Sequence, residues 1–394
     1  MEYKLKDLTV DGKGTYGIGA SAIPFDKAKP TYLRITDIND DGTLNFTDLK
    51  SVDTNEIDKY QLKENDIVFA RTGNSTGRTY FYEKQHGNFV FAGFLIKFSL
   101  DANKVNPRIL KYYTHSKVYY DWVKSFDTGG TRGNINAATY GEMILDLPDR
   151  KLQDKIVDIL SSLDKKIETN NKINANLEEM AQAIFKNWFV DFAPFKDRKF
   201  VESELGMIPE GWRVVPFTDI LTASTEKVGR DGVPEFSVTN TGIHPRDEKF
   251  NKNLSKSSAK NKILRKDNLV FGMSREILNW GIMKEEEGGV SSAYNIFIVD
   301  TNAVNIVYLE NFIQAKMDYF HVLIKPASRE GQGLDKTALF SKYIYVPTND
   351  ITESFLNTYT AIYNKMKSLE EENQRLASIR DTLLPRLMSG EIEG

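Results

Sequence analysis

Two glycine-containing segments bring together arginines and asparagines, the residue types that read polar edges. In ARTGNSTGRTYFY, Arg71, Asn74 and Arg78 lie between apolar runs, and TGGTRGNIN adds Arg132, Asn134 and Asn136. A guanidinium can donate two parallel hydrogen bonds to a guanine edge, and a side-chain amide can pair with adenine. Glycine lets the backbone come close to a phosphate. A third segment, 246–266, holds eight basic residues (Arg246, Lys249, Lys252, Lys256, Lys260, Lys262, Arg265 and Lys266) against Asp247 and Glu248. Each lysine that neutralises a phosphate releases counterions, so such a run makes nucleic-acid binding steeply salt-dependent. Lys252, Lys256, Lys260 and Lys262 are its candidate contacts. Arg275, Asn279, Lys325, Arg329 and Lys336 join them by alignment with the first set of loops. For loops and run alike, the competing reading is an ordinary solvated surface.

Residues arranged for catalysis are missing from this pattern. Gly12, Gly14 and Gly17 match the dinucleotide fingerprint G-x-G-x-x-G, but Gly19 and Pro24 follow where a helix should open. GNSTGRT, from Gly73, is one residue short of a phosphate-binding loop and carries Arg78 where lysine belongs. There is no Asn-Pro-Pro-Tyr-like methyltransferase signature. His86, His115, His244 and His321 have no metal-ligand spacing, and nothing marks one as a base. Without cysteine there are no disulfides, thiol nucleophiles or thiolate zinc sites. The expectation is a chain with no catalytic residue, metal or cofactor of its own. A net charge of -3 argues mildly against a protein that coats DNA indiscriminately, so local charge has to carry any such contact.

The elements that position these loops come in two copies. Pro148, Leu152, Ile156, Leu163, Ile167, Asn174, Leu177, Ile184 and Trp188 map, at a constant offset of 199, onto Pro347, Ile351, Phe355, Ile362, Met366, Asn373, Leu376, Leu383 and Leu387. Upstream, ENDIVFAR matches KDNLVFGMSR at an offset of 202, and FAGFLIKFSLD matches SSAYNIFIVD at 199. Each half is therefore a lobe followed by a long helix. DIVFA, NFVFAGFLIKFSL, NLVFG and YNIFIVD read as strands, being rich in Val, Ile and Phe and bounded by Gly, Asn and Asp. Segments 108–122 and 309–324 read as helices. The expected class is α/β (α+β): a first lobe over 1–147, a helix over 148–192, a linker over 193–212, a second lobe over 213–346 and a second helix over 347–394.

Positions 163, 167, 170, 174, 177, 181, 184 and 188 alternate steps of four and three, a heptad seam with no Pro or Gly to interrupt it. The second helix repeats the seam from Ile362 to Leu387. A single long helix with one apolar stripe needs a partner. Antiparallel pairing of the two helices would make the chain pseudo-twofold symmetric, with lobes at the ends of a rigid spacer. Asn174 and Asn373 hold the same seam position and are expected to set register. Trp188, Phe189 and Phe192 follow the seam and are candidates for a partner interface, or else they cover the junction with the second lobe.

The segment LPDRKLQDKIVDILSSLDKKIETNNKINANLEEMAQAIFKNWFVDF, the C-terminal LASIRDTLLPRLMSGEIEG and the junction ELGMIPEGWRVVPFTDIL resemble the specificity subunits of type I restriction-modification enzymes, in order and at half-chain spacing. The resemblance covers the whole chain. It implies two target recognition domains that each read half of a bipartite, asymmetric site in double-stranded DNA, with the helices setting the unread spacer. It also implies partners: two methyltransferase subunits that use S-adenosylmethionine, and restriction subunits that use ATP and magnesium. From the residues alone, a free-standing DNA-binding regulator that dimerises through its helices stays open. A fused enzyme lacks its motifs, and a protein scaffold leaves the basic run unexplained. Met1-Glu2-Tyr3-Lys4 has no apolar leader core and no run reaches the length of a membrane span, so a cytoplasmic location is expected.

Overall fold

The computed structural model describes residues 1–126, 133–246, 258–273, 277–324 and 334–392. They form two compact units, Met1–Asn171 with Glu370–Gly394, and Lys172–Leu369. Each unit thus contains one lobe and a segment of both long helices, a grouping that the linear order of the chain hides.

In the first unit the fully buried strand Asp66–Ala70 lies between Leu95–Ser99 and Thr79–Phe81, with Thr15–Tyr16 on the far side of Leu95–Ser99. Every pair is antiparallel. Side chains alternate along a strand. Ile67 and Phe69 accordingly enter a core shared with the lobe's helices, while Val68 and Ala70 enter a second core with the neighbouring sheet. Burial on both faces explains why DIVFA is apolar throughout rather than alternating. That neighbouring sheet runs Ala22–Pro24, Lys50–Val52, Thr31–Leu33, Phe89–Phe91, and its last pair is parallel. The run expected as one strand over 88–100 is split, because the Leu95 amide bonds back to the Ala92 carbonyl (2.8 Å) and turns the chain from one sheet into the other.

The second unit repeats this frame. Its sheet runs Leu221–Ser224, Asn295–Val299, Leu269–Phe271, Trp280–Ile282. Ile67 faces Phe98 in the first lobe and Leu269 faces Phe297 in the second, the pairing that the sequence offsets of 202 and 199 require. Helix starts repeat as well. Asn106 caps Pro107–Tyr113 and Asn305 caps Ile306–Ala315; Asn136 caps Ala137–Gly141 and Asp335 caps Lys336–Phe340. Where one helix was expected over 108–122 there are two. Ser116 accepts from the Tyr119 amide (3.3 Å) and starts Lys117–Lys124 afresh. The segment 309–324 is likewise divided, between Ile306–Ala315 and Met317–His321.

The long helices are Arg150–Phe189 and Asn349–Met388, 40 residues each. All eight seam positions of the first are buried or half-buried, while most intervening positions are exposed. In the first unit Arg380 meets Asp164 (3.0 Å) and the Asn170 amide donates to Asn373 (2.9 Å); in the second the Asn174 amide donates to the Met366 carbonyl (3.3 Å) and Phe185 packs on Phe355. Rising numbers on one helix meet falling numbers on the other, so the segments are antiparallel within each unit. The register pair is Asn170 with Asn373, and Asn373 also donates to Asn171 (2.8 Å). In antiparallel helices identical repeat positions face each other only at the crossing point, and here the facing residue is one turn earlier than Asn174.

The partner-interface expectation for Trp188, Phe189 and Phe192 is corrected. Phe189 is fully buried in the second unit's core, and Trp188 and Phe192 pack against it with Trp212 and Tyr345. The rings close a helix that ends inside the second lobe's core, so they cover the junction with that lobe. The segment read as a linker belongs to the same core: Phe195, Ile208 and Trp212 are buried there, and Phe200–Ser203 pairs with Gly206–Pro209 as a hairpin.

Candidate nucleic-acid interface

In the first lobe three neighbouring strands end at one place. Tyr16 is the last residue of Thr15–Tyr16, Arg71 follows Asp66–Ala70, and Phe94 precedes Leu95–Ser99. The Arg71 amide donates to the Phe94 carbonyl (3.1 Å), and the Arg71 carbonyl accepts from the Ile135 amide (2.9 Å). Thr76 donates to the Gly133 carbonyl (2.9 Å). The two loops singled out by their Arg and Asn content are thereby stitched together. Beneath them the buried Tyr119 and Tyr140 hydroxyls donate to the Gly77 (2.7 Å) and Ala70 (3.0 Å) carbonyls. Gly77 has φ +88°, and a Cβ there would sit 2.6 Å from Val123, so the loop requires glycine at this turn.

The Arg71 guanidinium lies 5.0 Å from the centre of the Tyr16 ring, and its Nε donates to Asn134 Oδ1 (3.4 Å). Tyr16 is held from behind, its hydroxyl accepting from the Ala137 amide (3.0 Å). Asn74 and Asn134 are exposed. Asn136, exposed too, uses its Oδ1 to accept from the Thr139 amide (2.9 Å), a helix cap. Arg78 is engaged internally: Nε donates to Asp40 (2.6 Å) and a terminal nitrogen to the Ile38 carbonyl (3.1 Å). Arg132 lies outside the described residues. Tyr16 and Phe94 carried no signal in the sequence, since only the strand order brings them beside Arg71.

The second lobe presents lysines instead. Lys262 donates to the Tyr294 carbonyl (2.6 Å); burial, and then the nearby Lys336 charge, push its pKa down. Lys227 bridges Lys262 through the backbone, and Lys260 and Lys336 are exposed. Asn279 spans the base of its loop, donating to the Met273 carbonyl (2.6 Å). The basic run is partly neutralised, because the fold brings acids to it from elsewhere in the chain. Arg265 makes a two-pronged pair with Glu226 (2.7 and 2.6 Å), and Lys266 pairs with Glu286 (2.7 Å). Arg246 donates to Ser237 (2.5 Å). Lys252, Lys256, Arg275, Lys325 and Arg329 lie outside the described residues, as does Lys249.

Beneath the first lobe's helices, Asp164 binds Lys111 (3.0 Å), Arg380 (3.0 Å) and the Tyr112 hydroxyl (3.1 Å). Burial disfavours its charge, but Lys111 and Arg380 outweigh that and hold its pKa below the usual carboxylate value. Burial pushes the His115 imidazole down to about 4, so it is neutral at physiological pH. Among the described residues no three His, Asp or Glu side chains gather as a metal site, and no helix is long and apolar enough to cross a membrane.

The chain is similar to known proteins. The sequence profile of the type I restriction modification DNA specificity domain matches residues 3–179. The type I restriction enzyme MjaIX specificity subunit of Methanocaldococcus jannaschii is 26% identical over 72% of this chain and 68% of its own length. The type I restriction enzyme HindI specificity subunit of Haemophilus influenzae is 24% identical over 85% of this chain and 88% of its own. The crystal structure of the type I restriction-modification system S subunit from M. genitalium shares the fold, with a TM-score of 0.50 over 98% of this chain and 96% of that one at 14% identity. Two lobes on one strand frame, each followed by a long heptad helix, and a specificity-domain match over residues 3–179 make this chain similar to the type I restriction-modification specificity subunits.

Proposed function

We propose that each lobe reads one half of a two-part DNA site, while the paired long helices set the number of unread base pairs between the halves. The observation that carries this reading is a repeated frame with unlike surfaces. Strand register and helix caps coincide between the lobes, yet Arg71, Tyr60 and Ala137 of the first correspond to Met273, Lys262 and Lys336 of the second. Readers built alike but faced differently suit an asymmetric target. Half-sites about one helical turn apart, ~34 Å, are what paired readers on a rigid spacer engage.

In this reading the chain supplies recognition and no chemistry. Methyltransferase subunits, two per complex, supply S-adenosylmethionine-dependent adenine methylation, and restriction subunits use ATP and magnesium. The complex acts on double-stranded DNA in the cytoplasm. Base-resolution mapping of methylated adenines in the native genome, with and without this gene, tests the proposal. Loss of methylation at a single bipartite, asymmetric motif is expected. An unchanged methylome with active methyltransferase partners present would refute it.

A further inference from the structure

Arg71 differs from Arg78 in how it is held. Arg78 has a carboxylate, Asp40, at 2.6 Å. Arg71 has no acidic partner among the described residues; a neutral amide oxygen takes its Nε, and the Tyr16 ring supports one face. That leaves the terminal Nη1 and Nη2 edge as the free, planar, two-donor end of a positively charged group. Cation–π support and a single hydrogen bond cut the side-chain entropy that a flexible arginine loses on binding. Backbone bonds fix the base of the residue on both sides, to Phe94 and to Ile135.

We propose that Arg71, oriented by Tyr16 and Asn134, donates bidentately to a guanine in the half-site read by the first lobe, a specificity contact that rests on the DNA-reading function above. The alternative partner, a phosphate, fits this place less well. Phe94, 58% exposed, emerges at the same sheet end. An apolar ring facing the hydrated oxygens of a phosphate gains nothing, whereas a base edge in the major groove can offer it a thymine methyl. Tyr16 is a positioning residue here. The equivalent of Arg71 in the second lobe is Met273, so the contact belongs to one half-site alone.

The test is methylome mapping in the native host with the gene replaced by wild type, Arg71→Lys, Arg71→Gln, Tyr16→Phe or Tyr16→Ala. A bidentate arginine–guanine pair is worth roughly 5- to 150-fold in discrimination. Both Arg71 variants are therefore expected to relax one guanine position by about 10- to 100-fold while the other half of the motif stays intact. Tyr16→Ala should relax the same position more weakly, and Tyr16→Phe, which keeps the ring, should retain the wild-type motif. Uniformly weaker methylation with an unchanged motif would assign Arg71 to a phosphate and overturn the proposal. So would a wild-type motif with no guanine in the affected half, or loss of all methylation in both Arg71 variants. Absence of any wild-type motif that depends on this gene would instead sink the DNA-reading function itself.

Discussion

The two lobes share a frame and differ in what they put on it. At equivalent places below the lobe helices, the first unit has Lys111, Tyr112, Asp164 and Arg380 tied in an ion network. Stepping by the repeat offset, the second has Glu310, Asn311, Tyr363 and Ala181, which help to line a cavity of ≈ 470 Å³. On the outer face the first lobe offers a supported arginine and the second a set of lysines. Arginine with its flat fork discriminates between bases, whereas lysine acts as a point charge. Backbone pairing, caps and central-strand side chains keep the lobes alike, and the loops on top are free to diverge.

If the frame is common, equivalent core truncations must cost alike. Phe69→Ala and Phe271→Ala, both at fully buried positions, are each expected to cost about 3–5 kcal/mol. Hydrogen exchange resolved by unit measures them, and a cost confined to one lobe would break the comparison.

The ion network should make the first unit more vulnerable to charge removal and acid. Asp164→Ala leaves Lys111 and Arg380 without their shared acceptor and should cost about 1–3 kcal/mol, while Tyr363→Phe in the second unit should stay within ~0.5 kcal/mol. His115 is neutral in the fold down to about pH 4, whereas the unfolded chain takes up its proton near pH 6.5. Stability of the first unit is therefore lost as pH falls from about 6.5 toward 4. Asp164, with its lowered pKa, adds a loss in the same direction in more acid solution. His115→Gln should flatten the upper part of that profile in thermal melts from pH 7 to 4.

The caps sharpen the distinction between frame and face. Asn136→Ala and Asp335→Ala should each cost about 1 kcal/mol and leave the methylated motif unchanged. A changed motif in Asn136→Ala would show that this asparagine also reads a base. The smallest expected effect is that of Lys336→Ala. It should lower the salt slope of DNA binding by about 1 without altering the motif, as read by anisotropy titrations of the assembled complex at several salt concentrations.

Much of the frame was legible because its signals are local. The heptad steps from 163 to 188 needed only counting, and DIVFA needed only its β-branched and aromatic residues. The constant offset exposed the repeat without any coordinates. Local signals failed where a polar side chain redirected the chain, as Ser116 does in starting a new helix. Charge counting in 246–266 failed because Glu226 and Glu286, which pair with Arg265 and Lys266, come from outside the run. Asn136 and Arg78 read as candidate contacts by residue type alone, and their partners inside the fold, Thr139 and Asp40, carried no signal in the sequence.

By itself the sequence determined the repeat, the two long helices with their seam and the strand runs of each lobe. The repeat and the seam follow from spacings of half a chain and of three and a half residues, and the strand runs from their β-branched and aromatic composition, all read along one dimension. The tertiary structure alone decided that Asn170 faces Asn373, that Trp188, Phe189 and Phe192 cover the junction with the second lobe, and that Tyr16, Arg71 and Phe94 share one sheet end. Such contacts depend on register between segments far apart in the chain, and register is set by packing and hydrogen bonding across elements rather than along them.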